Sequence, residues 1–132
     1  MATNFIFSVL RNDDVVALSR GMVIRVSDDR AVVRAQADTD DNLVGLYGIV
    51  GSGIAGVGGN AVVAISHAAS EPILLEDGLT PVAGEPLYVS ASVAGRATNV
   101  APGIIAPIGV ITDVWDYDRN SVVKAMIGVA LA

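Results

Sequence analysis

Short apolar runs, broken every few residues by Gly, Pro, Asn or Asp, set the pattern of this chain. Residues 4–10 hold Phe5, Ile6, Phe7, Val9 and Leu10. Residues 22–27 alternate, with Met22, Ile24 and Val26 on one face and Val23, Arg25 and Ser27 on the other. Residues 30–37 alternate less cleanly, and 43–50 form a longer apolar run. Residues 60–66 are β-branched at Val62, Val63 and Ile65, and runs at 86–90, 107–114 and 121–129 complete the set. Runs of this kind predict strands. The best helical stretch, 13–18, is too short to stand alone. The pattern predicts a single all-β domain over residues 1–132, a compact β-barrel or β-sandwich with short or no helices.

Three segments recur in order. Gly21-Met22-Val23-Ile24-Arg25-Val26-Ser27 parallels Gly84-Glu85-Pro86-Leu87-Tyr88-Val89-Ser90. Tyr47-Gly48-Ile49-Val50 parallels Ile108-Gly109-Val110-Ile111, and Ala61-Val62-Val63 parallels Ser121-Val122-Val123. The matches fit two similar half-repeats, 15–66 and 79–130, or the general likeness of Gly-turn-strand units in any β protein. Residues 67–81, broken by Pro72, Gly78 and Pro81, read as the linker between the halves, with Ile73-Leu74-Leu75 able to pair as a strand.

Composition narrows the functional classes. The 132 residues carry a net charge of −6, against nucleic acid as main partner, because phosphate binding needs a basic face. Lys124 is the only lysine, and there is no cysteine, which removes disulfides, thiolate metal sites and Cys nucleophiles. No apolar stretch reaches the roughly 18 residues of a membrane span, and the first residues lack the basic region of a signal peptide. The chain therefore reads as a soluble protein made in a cytoplasm, without a membrane or nucleic-acid partner.

Motifs that carry chemistry elsewhere fail here in detail. Gly51-Ser52-Gly53-Ile54-Ala55-Gly56 spells G-x-G-x-x-G, with the acidic Glu76 downstream. Dinucleotide binding requires that loop to open a helix, and Gly58 and Gly59 would cost such a helix roughly 2 kcal/mol relative to Ala. Asp38-Thr39-Asp40-Asp41-Asn42 opens like a calcium loop but has Leu43 where Gly is needed and Ile49 where Glu is needed. Asp116-Tyr117-Asp118-Arg119-Asn120 departs likewise, with Ser121 and Ile127 at those positions. His67, the only histidine, stands beside Ser66 without a nucleophile-elbow motif. One His, one Lys and no Cys suit protein contacts better than catalysis, so the chain is read as no enzyme, with no catalytic, cofactor-binding or metal residues.

Two segments are interface candidates. The run containing Phe5, Ile6, Phe7, Val9 and Leu10 includes both phenylalanines of the chain and reads as a docking arm or, equally, a core strand. In Asp113-Val114-Trp115-Asp116-Tyr117-Asp118 two aromatics alternate with acids. On a strand end Trp115 and Tyr117 would share a face, as an interface anchor or as a cap over the barrel end.

The second half resembles a known family. Leu79-Thr80-Pro81-Val82-Ala83-Gly84-Glu85-Pro86-Leu87-Tyr88-Val89-Ser90 is followed by Gly95-Arg96-Ala97-Thr98, then Ile108-Gly109-Val110-Ile111-Thr112-Asp113 and a last strand at 122–129. This order is similar to the small capsid decoration, or cement, proteins of tailed bacteriophages, over about residues 79–129. The glycine-rich loop at 51–59 and the acids at 38–42 are not part of it. The resemblance implies a β-barrel, commonly a homotrimer, bound to the major capsid protein outside the phage head, and it brings no catalytic residues. A tail-fibre or spike module that binds a host receptor is the alternative.

Overall fold

The computed structural model of the chain describes residues 5–51, 54–59, 62–103 and 106–128, and side chains from residue 8 onward. The strands are β1 (Phe5–Asn12), β2 (Leu18–Ser19), β3 (Val23–Asp28), β4 (Ala31–Arg34), β5 (Leu46–Val50), β6 (Ile54–Ala55), β7 (Val62–Leu74), β8 (Pro86–Val89), β9 (Ala97–Thr98), β10 (Gly109–Asp113) and β11 (Val122–Gly128). One turn of helix, α1 (Tyr117–Asn120), precedes β11. The all-β expectation holds, and the barrel is the form it takes.

Nine of the strands form one sheet in the order β1-β4-β3-β5-β7-β11-β10-β8-β9. An added antiparallel pairing of β1 with β7 closes β1, β4, β3, β5 and β7 into a five-stranded barrel. The run at 5–12 is thus a barrel strand, antiparallel to β7 along 5–10 and parallel to β4 at Arg11 and Asn12, which is the core-strand alternative of the two expected for it. Beyond the shared strand, β11, β10, β8 and β9 continue round to a parallel bridge between Ala97 and Leu75, just past β7.

The segment expected as a linker is mostly strand. β7 runs thirteen residues, and its early part serves the first ring while its later part pairs with β11. Pro72 is accommodated opposite Lys124 at a position where β7 has only β11 recorded beside it, so its missing N–H disrupts no second ladder. The stretch at 13–18 is not helical; it bends and then pairs as β2 with β6. Asn12, almost wholly buried, helps hold this bend by donating to the carbonyls of Val16 and Ala55 at 2.9 and 3.0 Å.

Two apolar cores explain why the alternation was misleading. One, inside the first barrel, gathers Leu18, Ile24, Val32, Val50, Ala55, Val62 and Ala64. The larger one gathers Leu87, Ala97, Ile111, Val123, Ala125 and Tyr117 from the second half together with Val23, Ile49 and Ile65. Adjacent residues of β3, β5 and β7 therefore point into different cores: Val23 and Ile24, Ile49 and Val50, Ala64 and Ile65. Of the two faces of 22–27, one is buried at Val23 and the other at Ile24, whereas Val26 is exposed where β3 runs out past both cores.

Candidate functional site

The segment after β10 is built by local hydrogen bonds. Asp113 ends the strand, and its Oδ1 accepts the Trp115 N–H at 2.8 Å, turning the chain. Asn120 Nδ2 donates to Asp116 Oδ1 at 2.9 Å across α1, and Ser121 closes it in the left-handed region at φ 55°. The Ser121 hydroxyl also donates to Asp77 Oδ1, tying the turn to the segment after β7.

This geometry separates the two aromatics that were expected on one face. β10 stops before them, so strand alternation never applies. Trp115 is 81% exposed, whereas Tyr117 is buried in the larger core. The Tyr117 hydroxyl donates to the Glu76 carbonyl at 2.6 Å and accepts the Leu79 N–H at 2.8 Å. Tyr117 anchors the turn, and Trp115 alone of the pair is presented outward.

Beside Trp115 lies a groove of about 420 Å³ whose walls include Arg20, Pro72, Asp113, Val122 and Lys124. Arg20 comes from the corner between β2 and β3, next to Ser19, which pairs with Ile54 of β6. Its guanidinium lies 3.8 Å from Glu71 of β7. Sequence reading did not bring Arg20, Pro72 or Lys124 to Trp115, since three separate stretches meet there only in the fold. An indole in one groove with two cations, two aspartates and apolar side chains is equipped for protein contact, where aromatic and Arg side chains dominate binding energy.

The other candidates fall as follows. Val9 is exposed on β1 and Leu10 packs partly against the first-barrel core; the side chains of Phe5, Ile6 and Phe7 lie outside the described residues. Ser66 and His67 are consecutive in β7, with Ser66 Oγ 3.1 Å from His67 Nδ1, and no acidic side chain hydrogen-bonds that ring among the described residues. The G-x-G-x-x-G stretch opens no helix: Ile54 and Ala55 are strand β6, while Ser52 and Gly53 lie outside the described residues. The 38–42 segment is a turn closed by Asn42 Nδ2 on Asp38 Oδ1 at 2.8 Å. Among the described residues, no three His, Asp or Glu converge as a metal cluster.

One carboxylate is tuned by its surroundings. Burial raises the Asp14 pKa, but the Arg34 side chain, the backbone N–H groups of Arg34 and Val15 and the Arg34 charge together bring it below 3.8. Asp14 Oδ2 accepts Arg34 Nε at 3.1 Å and the Arg34 N–H at 2.9 Å, fastening the bend after β1 to β4. That pair is structural and lies away from the groove's walls.

No protein-family model matches this chain. No curated protein matches it either. Among solved structures, a chain from the capsid of Myoviridae Phage XM1 superposes with a TM-score of 0.63, over 99% of this chain and 92% of that one, at 14% identity. At that identity the likeness speaks for the fold, which this chain shares with a chain of a phage capsid.

Proposed function

We propose that this protein is a structural component of a bacteriophage virion, bound to the outer surface of the head, which it stabilises as a cement or decoration protein. The observation that carries the reading is the superposition over nearly the full length of both chains. The resemblance of residues 79–129 to decoration proteins points the same way. The partner is the major capsid protein, and the free protein assembles as a homotrimer after synthesis in the host cytoplasm. The reading assigns no enzymatic role and no cofactor. With −6 charges per copy, the acidic side faces solvent and keeps particles apart, and Arg side chains make the polar contacts to the shell.

The test compares melting of heads assembled with and without the protein at saturating occupancy. Binding restricted to the intact lattice stabilises it by mass action, so decorated heads melt higher. Equal melting temperatures overturn the stabilising role. The exposed Trp115 favours the second reading, a receptor-binding tail module; hundreds of copies per particle argue for cement and tens or fewer for the receptor binder.

A further inference from the structure

The two closed rings of strands agree residue for residue. In the first, Ile24 faces Gly48 and Val23 faces Ile49; in the second, Leu87 faces Gly109 and Pro86 faces Val110. Ile49 and Val50 face Ile65 and Ala64, as Val110 and Ile111 face Met126 and Ala125. Arg25 and Val26 face Val33 and Val32, as Tyr88 and Val89 face Thr98 and Ala97. The closures also correspond. Val62 and Val63 face Leu10 and Val9 of β1, as Val123 and Lys124 face Ile73 and Pro72 of β7. The later half of β7 therefore does for the second ring what β1 does for the first. This register matches Val62 with Val123, one position from the alignment that sequence similarity favoured.

Hydrogen bonds outside the ladders repeat as well. Gly21 N–H donates to Val50 O and Gly84 N–H to Ile111 O, both at 2.8 Å, from glycines at φ 89° and 96°. Asp13 N–H donates to Val32 O at 3.0 Å, and Glu76 N–H to Ala97 O at 2.9 Å. Gly48 and Gly109 each sit where a Cβ would overlap a carbonyl of the facing strand, that of Ile65 and of Met126. The inward residues correspond too: Ile24, Val32, Val50, Val62 and Ala64 match Leu87, Ala97, Ile111, Val123 and Ala125. General likeness among β units does not reproduce register, bond pattern and core at once.

The connections from Val50 to Val62 and from Ile111 to Val123 have equal length, so Ile54 and Trp115 stand at the same position along them, the one in β6 and the other in the turn before α1. Both are large apolar side chains left in solvent, at 77% and 81% exposure. We infer that the chain is a fused pair of copies of one five-stranded unit, and that Ile54 and Trp115 are its two equivalent attachment points, engaging the same surface on two neighbouring subunits of a protein lattice. This rests on the virion reading above and deepens it. Two matched sites require a partner that repeats, and a shell of identical subunits is one. Linking the sites in one chain makes the second contact intramolecular, so retention exceeds that of either contact alone.

The experiment titrates heads lacking this protein with the full chain and measures retention by sedimentation. It compares wild type, Ile54→Ser, Trp115→Ser and the double variant. Both side chains are exposed, so the melts of the free variants match wild type. Each single variant is expected to lose about a hundredfold in apparent affinity, the lower end of a linked two-site gain, and the double variant to show no retention. Wild-type retention of Ile54→Ser, or a Trp115→Ser loss equal to that of the double variant, overturns the two-point attachment while leaving the virion reading intact. Failure of wild type to bind heads overturns the virion reading itself, and this inference with it.

Discussion

Replacing Tyr117 with Phe removes one oxygen and tests what holds Trp115 in place. The hydroxyl donates to the Glu76 carbonyl at 2.6 Å and accepts the Leu79 N–H at 2.8 Å. Each such bond contributes a net of about 1 kcal/mol, and each backbone group left without a partner costs about 1–3 kcal/mol. Glu76 and Leu79 are only partly buried, so water takes over part of their bonding and the lower end applies. The expected loss is about 2 kcal/mol. For a domain of this size about 4 °C of melting temperature accompanies each kcal/mol, which places the variant about 8 °C below wild type. Thermal unfolding followed by circular dichroism reads this directly, and a guanidinium titration should move its midpoint without changing its slope. The ring still fills the core, so the fold survives. A melting shift under about 2 °C would refute the argument that this hydroxyl pins the turn.

Gly48→Ala and Gly109→Ala should each destabilise by about 2 kcal/mol or more, because the new methyl meets a facing strand carbonyl, and urea midpoints check it. Asp14→Asn should cost about 2 kcal/mol at neutral pH through loss of the charge-assisted bonds to Arg34. The folded pKa of Asp14 is depressed, so its contribution is present above the ordinary value of 3.8 and is lost as pH falls through it toward the folded value. The Asn variant should therefore show a shallower loss of stability than wild type in that acid window, and identical acid limbs would contradict the assignment.

Local pattern was enough for the strands because their signals are local. β-branched runs at 23–28 and 122–128, ended by turn residues, specify extended chain wherever they pack. The same locality limited the reading of 67–81. Pro72 looks like a breaker in a sequence window, yet it lies within β7 opposite Lys124. Trp115 and Tyr117 looked paired because strand alternation was extended past Asp113, where a side chain-to-backbone bond had already turned the chain.

The sequence by itself determined an all-β chain and its main strand segments. Each follows from side-chain shape, alternation and turn chemistry within a few residues. Tertiary structure alone decided that β1 closes a barrel, that β7 serves two rings, and that Val23 and Ile24 both lose solvent. It also decided that Arg20, Pro72 and Lys124 stand beside Trp115. These depend on contacts between distant segments, and a strand buried on both faces carries no alternation by which its second neighbour could be read.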